Sequence, residues 1–176
     1  MAPRHLLRGF AEDQRGVAAV EMALVGTFLA GALLNVVEVS RYAYMSSQVT
    51  AATQAGAQAA IITCEPGETP VTLNCPAAAA AINQAIHGSS LGAHVGLQGG
   101  LTEGWYCVTS NSTLQFMVAA TATKPVDCSA AGVPAGTPSL YLRVRTTYTY
   151  ESIFPGLTIT ESFPAAIVRT AWMRML

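Results

Sequence analysis

Between Glu21 and Glu38 the chain carries no charged residue. The apolar run is residues 17–37, with Glu21 near one end, Asn35 near the other and Thr27 between them. At 1.5 Å per residue these 21 positions make a helix of about 31 Å, enough to span a bilayer core of roughly 30 Å. A core helix of a soluble protein is seldom this long and uninterrupted, so the run is expected to be a transmembrane helix. Arg4, Arg8 and Arg15 precede it, and only Arg41 follows closely. By the positive-inside rule the N-terminus is cytoplasmic, and everything after about residue 39 is translocated.

The segment before the run, residues 1–16, is short and charged and ends in Gly16. A secretory signal passes from a basic start through an apolar stretch to a small-residue cleavage site. Here no such site follows residue 37 closely. Ala55-Gly56-Ala57 has the right letters but lies too far downstream. Ordinary signal cleavage therefore fits poorly.

The helix is expected to continue past the membrane, because residues 38–49 contain neither Gly nor Pro. Val39, Ala43, Ser46, Val49, Ala52, Gly56 and Ala59 recur every three or four residues, as one helix face does. Small residues on that face permit close helix approach. Turn chemistry at Cys64-Glu65-Pro66-Gly67 predicts the end near residue 62, giving a rod of about 70 Å at the same rise per residue. Its second half must pack on a globular domain or on neighbouring chains.

Residues 65–75 read as a loop, and Pro76 suits the first turn of a short helix over residues 77–86, with Ala78, Ile82, Ala85 and Ile86 on one side. Residues 92–104 are Gly-rich and are expected to be irregular. Residues 105–109 and 113–120 read as a hairpin turning at Asn111-Ser112. The clearest strand is residues 139–150, where Leu140, Leu142, Val144, Thr146, Tyr148 and Tyr150 alternate with Tyr141, Arg143, Arg145, Thr147 and Thr149. Residues 157–163 and 166–172 read as two more strand segments. The expected class is α+β: a long N-terminal helix (17–38 in the membrane, 39–63 beyond it) and a small head, residues 64–176, with a short helix and an antiparallel sheet.

Cys64, Cys75, Cys107 and Cys128 all follow the apolar run, and none has CxxC spacing, so a zinc or redox motif has no support. Outside the cytoplasm two disulfides are the natural reading. Of the three possible connectivities, proximity in sequence favours Cys64–Cys75 and Cys107–Cys128.

Chemistry is otherwise sparse. Only 11% of residues are charged and the net charge is −1, which excludes the strongly basic surface of a nucleic-acid binder. His87 and His94 are separated by Gly88 and Gly92 and do not suggest a metal pair. No nucleophile elbow, phosphate loop, zinc-protease motif or paired-carboxylate arrangement is present, so no enzyme, metal or cofactor is expected. Asn111-Ser112-Thr113 matches a glycosylation sequon but reads as a turn.

Glu21 stands out, since a carboxylate on a membrane helix is functional by default. A plainer account puts it near the interface and a helix N-terminus, where negative charge is favoured. If the chain is cut after Gly16, Val17 acquires a charged amine one helical turn from Glu21. In a bundle, Glu21 of one subunit then neutralises that amine on a neighbour.

The pattern Arg15-Gly16-Val17-Ala18-Ala19-Val20-Glu21-Met22-Ala23-Leu24-Val25, continued by Val36-Val37-Glu38-Val39-Ser40-Arg41, resembles a type IV prepilin. More narrowly, it is similar to the TadE-like pseudopilins of the tight-adherence (Tad) pilus. Met22 stands where that family usually has an aromatic residue, and the head matches only in general style. The resemblance implies cleavage between Gly16 and Val17 by a prepilin peptidase on the cytoplasmic side. The mature protein is then held in membrane lipid of the inner membrane, head in the periplasm, before it joins other major and minor pilins through the inner-membrane assembly platform. A head of this size implies a minor pilin that initiates or caps the filament on the cell surface. The alternatives are a tip adhesin or receptor-binding module, or an uncleaved membrane-anchored periplasmic protein.

Overall fold

A computed structural model of the chain describes residues 15–65 and 67–175. Of the leader expected over residues 1–16, residues 1–14 lie outside the described part. The first element, α1, is one continuous helix, Arg15–Thr63. It is followed by a helical turn α2 (Val71–Asn74) and a helix α3 (Ala78–His87). The strands are β1 (Val95–Leu97), β2 (Thr102–Val108), β3 (Leu114–Ala119), β4 (Ser139–Thr149) and β5 (Ala166–Arg174). The class is α+β, as the sequence predicts. The contacts divide the chain into two compact units. One holds α1 up to Tyr42 together with Ser152–Phe163; the other holds Ala43–Glu151 and Pro164–Leu176.

In the first unit α1 exposes Val17, Val20, Met22, Leu24, Phe28, Leu33 and Val36. It is the one helix among the described residues long and apolar enough to cross a membrane, and none of its most apolar window is buried. Ser152–Phe163 is not the strand expected over residues 157–163. Gly156 turns the backbone at φ +79°, and Ile159–Ser162 coils into a 3-10 turn. The reason is local bonding: the Leu157 N–H donates to the Phe154 carbonyl at 3.2 Å, and the Phe163 N–H to Thr160 at 3.0 Å. Alternation of Thr and Ile matched a strand, but these bonds close the chain on itself.

In the second unit every strand pairing is antiparallel. β4 is the central strand. Its residues 141–149 pair with β5, and the opposite edge is shared by β2 at residues 139–143 and β1 at residues 146–148. Leu140, Leu142, Val144 and Thr146 are buried on the inward face, as the alternation predicts. Val49, Ala52, Thr53, Ala57 and Ala60 of α1 and Ile82 and Ile86 of α3 are buried with them. The buried stripe of α1 differs slightly from the expected one: Ala43 is exposed and Ala59 half-buried, while Ala57 and Ala60 complete the face. Gly56 is needed for close approach, because a Cβ there would stand 2.8 Å from Ile86 Cγ1. The Thr53 hydroxyl lies 2.6 Å from the Val49 carbonyl and 2.6 Å from the Thr146 hydroxyl. A carbonyl only accepts, so Thr53 donates to Val49 and Thr146 donates to Thr53.

The Gly-rich stretch is more ordered than its composition suggests. Val95-Gly96-Leu97 adds to β4, and β2 begins at Thr102. α2 likewise forms inside the expected 65–75 loop. The β2–β3 hairpin turns through Ser112 at φ 58°, a left-handed position compatible with the turn reading of the sequon. Disulfides join Cys64 to Cys75 and Cys107 to Cys128, with Cα separations of 5.8 and 5.7 Å.

Candidate functional site

The apolar stretch of α1 satisfies its own polar groups. The Thr27 hydroxyl donates to the Ala23 carbonyl at 2.7 Å, and Asn35 Nδ2 to the Gly31 carbonyl at 2.8 Å. Such bonds to the preceding turn let a polar side chain sit in an apolar medium at reduced cost. Gly16 and Val17 are helical. A Cβ on Gly16 would meet nothing within 4 Å, and Val17 is exposed. Glu21 is exposed one turn further on the same face, and no partner for its carboxylate appears among the described residues. Gly16, Val17 and Glu21 thus lie close together on α1 with open surroundings.

A second polar group marks the other end of the run, and the sequence reading missed it. Glu38 is fully buried within the first unit. Its Oε1 accepts the Ile153 N–H at 3.0 Å and lies 3.9 Å from an Arg41 guanidinium nitrogen. One turn earlier, Asn35 Oδ1 accepts the Ile159 N–H at 2.9 Å. The Tyr42 and Phe163 rings pack with centroids 5.0 Å apart. Asn35, Glu38 and Tyr42 follow i, i+3, i+7 spacing, so one stripe of α1 holds Ser152–Phe163 at Ile159, Ile153 and Phe163. That spacing was the signal available in the sequence, two acceptors at helical spacing where the apolar run ends.

The remaining expected residues are dispersed. Cys64 and Cys75 form a small buried cluster with Val71 and Ala78, against which Met175 packs. Cys64 and Cys75 Sγ and a Glu68 carboxylate oxygen lie within 4.8 Å of one another, but the sulfurs are bonded together and offer no thiolate to a metal. Cys128 sits beside an Asp127–Ser129 turn. There the Ser129 hydroxyl and backbone N–H donate to the Asp127 carboxylate and hold its pKa below the ordinary carboxylate range. His87 ends α3 and His94 ends a 3-10 turn.

The outward face of the sheet carries an aromatic group centred on Tyr106. Its ring meets those of Phe116, Tyr141 and Trp172 edge to face, at 5.4, 6.0 and 5.0 Å. The Arg143 guanidinium lies 5.7 Å from the Trp172 ring centre. Burial pushes the Tyr106 hydroxyl pKa up, and the Arg143 charge offsets part of that rise.

Residues 16–58 match the family model described as TadE-like protein. Over those residues the N-terminal helix is similar to TadE-like proteins. No curated protein and no solved structure matches the chain. The TadE-like match opens on Gly16 and contains Val17, Glu21, Asn35, Glu38, Thr53 and Gly56, but none of the four cysteines. It associates the chain with the Tad pilus. The apolar exposed part of the TadE-like helix is consistent with a membrane anchor in such a system.

Proposed function

We propose that this chain is a minor pilin of a Tad-type pilus, cleaved by a prepilin peptidase between Gly16 and Val17. Its role is assembly and not catalysis. The observation that carries the reading is that the TadE-like match begins at Gly16, directly before the exposed apolar stretch of α1. After cleavage the Val17 amine and Glu21 are one turn apart on each subunit. At an effective dielectric of 20, an amine and a carboxylate 4 Å apart on neighbouring subunits attract by about 4 kcal/mol before desolvation is counted. That pairing sets the axial register of one helix on the next. Partners are the peptidase, other major and minor pilins and the inner-membrane assembly platform. The N-terminus is cytoplasmic and the head periplasmic, which the two disulfides favour because such bonds persist in oxidising compartments. A head held by the second unit is too large for every subunit of a thin filament and suits its initiation or tip.

N-terminal sequencing of the mature protein tests the class: a start at Val17 supports it, and a start at Met1 leaves an ordinary anchor. Gly16→Lys is expected to leave only the full-length chain. Glu21→Ala is expected to insert and be cleaved but to give few pili; wild-type piliation would return Glu21 to a simple interfacial role.

A second reading, adhesion by the head, is favoured by the aromatic and arginine side chains on the outward sheet face. Trp172→Ala with Phe116→Ala separates the two: intact pili with lost attachment support adhesion, and lost pili support an assembly role alone.

A further inference from the structure

We propose that Ser152–Phe163 is a membrane-surface loop that places Ile153, Leu157 and Ile159 in the interfacial layer of the bilayer, in the leaflet through which α1 leaves. The inference rests on the membrane-anchor reading of α1. Asn35 lies two residues inside the end of the apolar run, about 3 Å below it at 1.5 Å per residue. The Ile159 N–H is bonded to the Asn35 side chain at 2.9 Å, so Ile159 shares that depth. A segment at that level must meet two demands.

The first is that backbone donors find acceptors without water, since irregular backbone is tolerated at membrane depth only when satisfied, and five of the loop's eleven N–H groups have acceptors within the first unit. Ile153 and Ile159 donate to Glu38 and Asn35. Gly156 donates to the Glu161 carboxylate, Leu157 to Phe154 and Phe163 to Thr160. The Thr158 and Thr160 hydroxyls bond each other at 2.8 Å. The second demand is an apolar exterior. Ile153, Leu157 and Ile159 are 52, 67 and 59% exposed, an unfavourable arrangement for a loop in water. Val36, exposed on the apolar run of α1, lines one groove with Ile159. Between Ile159 and α1 runs a groove of about 290 Å³, lined by Asn35, Val36, Val39 and Ser40.

Lipid is the occupant because the loop is continuous with the membrane-facing helix and has little charge to offer a protein. Glu161 is its one ionisable side chain, and that carboxylate is engaged by Gly156. The loop itself has no basic residue to read anionic headgroups, and the neighbouring Arg41 is held against Glu38, so insertion is independent of lipid charge.

The test uses the full-length protein, native disulfides intact, in phosphatidylcholine vesicles. Leu157→Cys carries an environment-sensitive fluorophore, with Phe28→Cys as a mid-span reference and Val126→Cys, 96% exposed in the head, as an aqueous one. The expected result is several-fold stronger quenching of Leu157 than of Val126 by a shallow lipid-borne quencher, several-fold weaker quenching by iodide, and no change when anionic lipid is added. A Leu157 label that behaves like Val126 overturns the proposal while a quenched Phe28 keeps the anchor. A Phe28 label open to iodide overturns the anchor itself. A Leu157 label shielded from both quenchers means that protein covers the loop, and the proposal also fails.

Discussion

The two parts of α1 belong to one helix and one family match, yet they meet their surroundings in opposite ways. Before Tyr42, bulky Val, Leu, Met and Phe side chains lie exposed. After it, the buried residues are small ones, Val49, Ala52, Thr53, Gly56, Ala57 and Ala60, while Ser47, Gln54 and Gln58 face outward. The second part is amphipathic by size and polarity and suits water on one side. Between Glu21 and Asn35 the first has no polar side, only Thr27 bonded back to its own helix, so the solvent there is lipid or other apolar helices. Helix propensity is shared; the environment is written in where the large residues point.

Paired substitutions sharpen that contrast. The largest effect is expected from Leu142→Ala, which empties a fully buried site on the inward face of β4 and should cost about 2–5 kcal/mol, read by thermal unfolding in detergent. Leu24→Ala, on the exposed part of α1, should leave that transition in place. Next, Gly56→Ala drives a methyl into Ile86 and should cost about 1–3 kcal/mol. Gly26→Ala meets nothing within 4 Å and should stabilise the helix slightly if it does anything. Equal effects at Gly26 and Gly56 would break the comparison.

Thr53→Val removes the acceptor for Thr146 inside the second unit and should cost about 1 kcal/mol. Thr27→Val removes only a bond to its own helix and should fall within about 0.5 kcal/mol. The smallest effect is at Asp127. Its folded pKa is lowered, so its contribution is fully present above the ordinary carboxylate value and is lost as pH falls through the lowered one. Acid should therefore loosen the Cys128 turn slightly, seen by amide exchange at Ser129, and Asp127→Asn should abolish that pH dependence.

What the sequence made legible follows from how local each signal is. The helix, β4 and the β2–β3 hairpin declare themselves through periodicities of 3.6 and 2 that need no distant partner. β1 does not, because Val95-Gly96-Leu97 is a strand only by pairing with Tyr148, Thr147 and Thr146. Residues 157–163 alternate as a strand would, but Gly156, Glu161 and the acceptors on α1 bend them otherwise. Glu21 was conspicuous because a charge interrupts an apolar run. Glu38 was not, because it sits where the run was already expected to end, and its importance appears only when Ile153 arrives from 115 residues away.

The stripe at Asn35, Glu38 and Tyr42 has a geometric consequence for any filament. A helix that enters a bundle offers neighbours its full circumference, and here one sector is already occupied by the chain's own loop. Such a subunit has fewer directions in which to receive companions. In the proposed pilin role, that closed sector suits a subunit at the start or end of a rod.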